Sequence, residues 1–238
     1  MKANDVISAK KDFINEHFEM KLIDSIDYND LWGIGIEVIG TMKLKKYVDL
    51  KEFPFKIFSI KGDLILENCG FTSLKNFPQF TLGTVFLNDN LDLVSLKMDR
   101  PVSCLQLHAQ NCGIKDFSDA DFAGSMNTLN LSGCKNLESL KGLGQQVHIY
   151  KLILHDCDNF KEDISVYNIS QVFADFQKNP KPFLFALLNG RPTIDDTSKM
   201  ASDKFKQIVN KYRGKTSKEI FNLIRELRDS GDIPKSSL

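Results

Sequence analysis

The sequence predicts an α/β solenoid: a curved parallel sheet with irregular return arcs, capped by helices and followed by a C-terminal helical region. Three observations lead there. An apolar-x-apolar motif begins at Met42, Leu64, Val85, Leu107, Leu129 and Leu152, in steps of 21 to 23 residues, and self-similarity at such a period marks a repeat architecture. One slot in each turn region holds Cys69, Asn90, Cys112, Cys134 or Cys157, with Tyr47 there in the first copy. Both flanks carry apolar residues at helical spacing.

The totals are those of an ordinary globular chain. In 238 residues the apolar fraction is 42%, the charged fraction 26%, and the net charge zero. Bulk charge therefore does not argue for a nucleic-acid or membrane partner. The opening "MKANDVISAKKDFINEHF" lacks the apolar core of a signal peptide. No run of about 18 apolar residues occurs, so no membrane association is expected. With five cysteines, an odd number, a disulfide framework is not expected. The chain reads as intracellular and cytoplasmic.

Three regions follow in order: an N-terminal helical cap (1–35), a solenoid of about six coils (36–160), and a C-terminal helical cap with a helical hairpin (161–238). In the first, "DVISAKKDFINEHFEMKLI" places Phe13, His17 and Met20 on one side of a helix, with Ile14 and Phe18 beside them. "YNDLW" leads on, and "WGIGIEVIG" is read as a turn into the first coil, because its glycines lack phosphate-loop spacing.

In the second region, "LILENCGFTSL" superimposes on "LHAQNCGIKDF", and "VFLNDNLDLVSL" on "LNLSGCKNLESL" and "LILHDCDNF". "MKLKKYVDLKEF" supplies the first copy. Three residues before each lead position stand Ile39, Lys61, Leu82, Cys104, Met126 and Ile149, with Ile60 as the substitute for Lys61. The unit L-x-x-L-x-L-x-x-(N/C)-x-(x)-L resembles the leucine-rich repeat family over roughly residues 36–160. Short repeats leave little room for a helix in the arc. Pro54, Pro78 and Pro101 favour extended or 3₁₀-like turns there, and Phe53, Phe77 and Phe117 are expected to pack the arc side.

The slot also explains the cysteines. There the chain leaves the strand and turns with its side chain inward. Asn satisfies the exposed backbone groups, and Cys acts as a small buried hydrophobe with weaker polar contacts. Cys104 falls on the inward leading position. A metal site from Cys104, His108 and Cys112 is excluded by alternation: if Leu107 and Ala109 point inward, His108 points away from both thiols. No hydrolase, zincin, P-loop or dinucleotide motif is present. No catalytic residue, metal or cofactor is expected.

Function then falls to the outward side chains. The middle column reads Lys43, Ile65, Phe86, His108, Asn130 and Ile153; two residues on run Lys45, Glu67, Asn88, Gln110, Ser132 and His155. Beside these lie Lys46, Asn68, Asp89, Asn111, Gly133 and Asp156, and on the other side Thr41, Asp63, Thr84, Gln106, Thr128 and Lys151. Apolar residues in a polar, mostly uncharged surround suit a protein-binding surface. The family resemblance implies the same, since leucine-rich repeats mostly bind proteins through the concave sheet. The expectation is a non-enzymatic adaptor, inhibitor or assembly component. Its unidentified protein partner would meet Ile65, Glu67, Phe86, Asn88, His108, Gln110, Asn130, Ile153 and His155.

In the third region "DISVYNISQVFADF" is expected to form an amphipathic helix closing the solenoid, and "NPKPFLFALLNGRP" a short buried helix. "SDKFKQIVNKYRG" and "TSKEIFNLIREL" predict a hairpin, with Thr216 and Glu219 at capping-box spacing and Ile220, Leu223, Ile224 and Leu227 on one face. From 199 to 228 nine basic residues face three acidic ones. An alternative function follows: the repeats choose a target while residues 161–238 contact nucleic acid or a second protein through Lys204, Lys211, Arg213, Lys215 and Lys218. The lack of interleaved aromatics argues against base stacking.

Overall fold

The computed structural model describes residues 3–19, 25–27, 36–45, 49–162, 164–174, 211 and 220–230. Helix α1 (Ala3–His17) leads into β1 (Phe18–Glu19), followed by β2 (Ser25–Asp27), β3 (Ile36–Ile39), β4 (Met42–Leu44), β5 (Ile57–Ile60) and β6 (Leu64–Ile65). The longer strands β7 (Phe80–Phe86), β8 (Ser103–His108), β9 (Ser125–Asn130), β10 (His148–Leu154) and β11 (Ile169–Ala174) come next, and α2 (Ile220–Asp229) lies near the end. The result is a parallel β-solenoid of about six turns.

All six lead positions stand in one register. Met42 pairs with Leu64, Leu64 with Val85, Val85 with Leu107, Leu107 with Leu129, and Leu129 with Leu152. All are buried. Phe53, Phe77 and Phe117 fill the arc side, with Phe53 edge-on to Phe71 at 5.6 Å between ring centroids. Burying one such ring contributes about 1.5–3 kcal/mol. The described part of the arcs contains no α-helix.

A seventh row corrects the reading of the segment after Phe160. "DISVYNISQVFADF" is not an amphipathic helix: a short 3₁₀ turn at Ile164–Val166 is followed by β11, with Leu152 paired to Val172. Buried Ile169, Val172 and Ala174 repeat the inward spacing of Ile149, Leu152 and Leu154. An apolar 3-then-2 spacing serves an inward strand as well as one stripe of a helix. Here pairing to the open edge of β10 decides between them.

The inward leading positions also need correction in the first three rows. Ile39, Lys61 and Leu82 are exposed, and the buried residues are their predecessors Val38, Ile60 and Thr81. Val38 pairs with Ile60, Ile60 with Thr81, and Thr81 with Cys104. These rows thus carry one residue more before the lead position than rows four to seven, and the β7–β8 register shifts between Thr81 and Thr84. An extra residue on one strand is a β-bulge. Gly40, Gly62 and Gly83 stand one above another at the insertion, where a Cβ on Gly62 would overlap the Gly40 carbonyl.

At the N-terminal end, β1 pairs antiparallel with β4, so that edge of β4 is covered. Ile14 and Phe18 are buried, Phe18 stacks on Phe53 at 6.0 Å, and Phe13 meets Phe55 edge-on at 5.4 Å. Lys45 Nζ donates to the carbonyls of Asn15 and Glu16 near the end of α1, where a cation is favoured. Met20, "YNDLW", Gly33, Gly35, Tyr47, "NPKPFLFALLNGRP", Thr216 and Glu219 lie outside the described residues. In α2, Leu223 and Leu227 are buried, as the helical face requires. Among the described residues no helix is long and apolar enough to cross a membrane.

Candidate interaction surface

The turn column shows how the sequence holds each strand end. Cys112 donates its thiol to the carbonyl of Leu87 at 3.1 Å, Cys134 to Ala109 at 3.1 Å, and Cys157 to Leu131 at 3.0 Å. Each bond runs to the row before. Asn90 does more: its Nδ2 donates to the Leu66 and Leu87 carbonyls at 2.8 and 2.7 Å, and its Oδ1 accepts from the Cys69 and Phe71 amides at 3.1 Å each.

All five cysteines are buried. Burial pushes the Cys69 thiol up to about 11, and those of Cys104, Cys112, Cys134 and Cys157 up to about 12, from an ordinary 9.0. Only the thiolate is a good nucleophile. Native protein is expected to react slowly with iodoacetamide at mildly alkaline pH, and all five thiols quickly in denaturant. Mass spectrometry of the alkylated chain checks this, and rapid native labelling of the slot cysteines would refute the inward register. The raised values also set a direction with pH. The neutral thiols contribute stability fully below the unfolded value near 9.0, and this is lost as pH rises toward about 12.

The middle column forms one ladder across the sheet: Lys43 with Ile65, Ile65 with Phe86, Phe86 with His108, His108 with Asn130, Asn130 with Ile153, and Ile153 with Phe173. Phe173 was invisible while its segment read as a helix. The rings of Phe86 and His108 lie 5.3 Å apart at 34°. Partial burial, then the charge of Lys151, holds His108 below the usual imidazole range, and Glu67 opposes the shift. Asn130 departs from its expected role. It is only 8% exposed, and its Oδ1 accepts from the amide and hydroxyl of Ser132 at 3.1 and 2.7 Å.

The next column is cross-linked to itself. Asn88 donates to Glu67 at 2.6 Å and accepts from the Gln110 amide at 3.0 Å. His155 and Ser132 continue it, both half-buried. Beside it, Asn68, Asp89, Asn111, Gly133 and Asp156 all have φ between 48° and 75°. This is the left-handed region, which Gly, Asn and Asp tolerate best. The column is therefore a backbone requirement before it is a recognition surface.

A second apolar stripe went unread in the sequence. Leu82, Leu105 and Tyr150 are 57%, 48% and 50% exposed, each one residue past an inward leading side chain. Phe80 stands two residues before Leu82 on β7, and its ring meets that of Phe58 edge-on at 5.4 Å. The available signal was the L-x-x-L spacing itself: the two residues between inward Cys104 and Leu107, and between inward Ile149 and Leu152, are left on the outer side, and Leu105 and Tyr150 are the first of each pair.

The cysteine–histidine trio does not converge, since Cys104 and Cys112 are buried while His108 faces Phe86 on the other side. No cluster able to hold a metal ion occurs among the described residues. Of the basic C-terminal candidates, Lys211 is exposed and paired with Glu226 at 2.6 Å. Lys204, Arg213, Lys215 and Lys218 lie outside the described residues. No family model matches the chain, and no curated protein or solved structure matches it.

Proposed function

We propose that the chain is a leucine-rich-repeat interaction module, without catalytic activity, that binds a protein partner through the open face of its sheet. The role is that of an adaptor, inhibitor or assembly component. One observation carries the reading: two apolar stripes run across the same face. The first contains Ile65, Phe86, Ile153 and Phe173, the second Leu82, Leu105 and Tyr150, in a mostly uncharged polar surround that includes the charged Glu67 and Lys151. Apolar anchors within a polar surround supply most of the energy at protein interfaces. Rows locked by parallel pairing hold the anchors in fixed positions, which limits the entropy lost on binding.

The double variant Phe86→Ala with Ile65→Ala tests it. Both side chains are half-buried on the open face, so the melting temperature is expected to change little. Losing two anchors weakens binding by about 2 kcal/mol or more, roughly thirtyfold. Pull-down from the native source, quantified against wild type by mass spectrometry, gives the readout. Undiminished capture by a folded double variant would remove the face from consideration.

A further inference from the structure

Charge on the open face is distributed unevenly. Strands β8, β9, β10 and β11 contain no aspartate or glutamate and a single lysine, Lys151. Elsewhere in the solenoid, lysines such as Lys43, Lys61, Lys75 and Lys135 each meet a carboxylate. Lys151 does not among the described residues. Its Nζ lies 4.4 Å from the centroid of the Phe173 ring instead.

The lysine also stands between the two apolar stripes. Tyr150 precedes it in β10, with Leu105 two strands away beyond exposed Asn127; Ile153 and Phe173 lie on the other side. Its charge reaches His108 on β8, where it opposes protonation. A half-buried cation among aromatic and aliphatic groups is less screened than one in open solvent, and burial under a partner would strengthen its field further. Covering it with an apolar surface alone would strand the charge. A basic surface would be repelled.

We infer that the face of β8 to β11 takes an acidic, apolar protein segment, whose carboxylate pairs with Lys151 while its flanking side chains cover Leu105 and Tyr150 on one side and Ile153 and Phe173 on the other. This rests on the protein-binding reading above and specifies the chemistry of the partner.

A random peptide library displayed on phage, selected on the full chain, tests it. Enriched peptides are expected to carry Asp or Glu flanked by apolar residues and to bind more weakly as salt rises. Lys151→Gln should weaken them at least about tenfold while leaving the melting temperature unchanged, and selection on Lys151→Glu should enrich Lys or Arg instead. Enriched peptides that lack a carboxylate, or that bind Lys151→Gln as well as wild type, overturn the inference but leave the face-binding reading intact provided Phe86→Ala weakens them. Failure to enrich any peptide above an unselected control counts against both.

Discussion

Replacing Asn90 by alanine is expected to destabilise the protein by about 4 kcal/mol or more, among the largest effects a single substitution produces. The side chain is fully buried and joins four backbone groups from two successive rows: the amides of Cys69 and Phe71 and the carbonyls of Leu66 and Leu87. Alanine removes every one of those partners and puts nothing in their place. A buried amide or carbonyl without a partner costs about 1–3 kcal/mol, and partial relaxation keeps the total below the simple sum. Two carbonyls have some reserve, since Cys69 donates to Leu66 at 3.1 Å and Cys112 to Leu87 at 3.1 Å. The two amides have none of comparable quality. Asn90→Cys should therefore fall between wild type and Asn90→Ala, because a thiol replaces the donor but accepts poorly. Urea denaturation of the three proteins measures the order. A loss under about 1 kcal/mol for Asn90→Ala would mean that Asn90 is not the joint between the second and third rows.

This contrast bears on what a sequence can reveal. Lead positions 42 to 152 were legible because one physical demand, burial of alternate strand residues against the next row, repeats without interruption. The shared Asn/Cys slot was legible for the same reason. Two other features were not. Row seven advances 20 residues from Leu152 to Val172, a shorter step than any before it. Its Ile-x-x-Val-x-Ala pattern also fits a helical stripe, so local periodicity left the choice to tertiary pairing. The upper half of rows one to three was misread because a single inserted residue shifts the alternation and turns Ile39, Lys61 and Leu82 outward. On the candidate face the consequences are specific. Phe86, Ile65, His108 and Ile153 could be placed from the lead register alone. Leu82 could not be, since its orientation depends on the bulge, and Phe173 required the seventh row. Asn130 illustrates a third kind of limit: its column was right, but its amide turns to Ser132 in the strand exit.

The bulge itself supplies the second large effect. Gly62→Ala is expected to cost about 3 kcal/mol, at the upper end of what added methyl groups do in packed sites. A Cβ at this position would overlap the carbonyl carbon and oxygen of Gly40 in the row before, and the backbone there has no rotamer with which to yield. Row separation must widen locally, weakening the contact of Gly83 with Gly62, whose amide-to-carbonyl bond is 3.1 Å. Gly144→Ala is the matched control: the atoms nearest an added Cβ there are the end of the Gln146 side chain, which can swing aside, so a change within about 0.5 kcal/mol is expected. Chemical denaturation midpoints of the two variants give the comparison. Because the same insertion points Leu82 outward, a folded Gly62→Ala protein should also lose binding that depends on the Leu82 stripe while retaining its inward thiols unreactive. Equal stability of the two alanine variants would show that rows one and two do not approach at Gly40 and Gly62, and the outward assignment of Leu82 would fall with that contact.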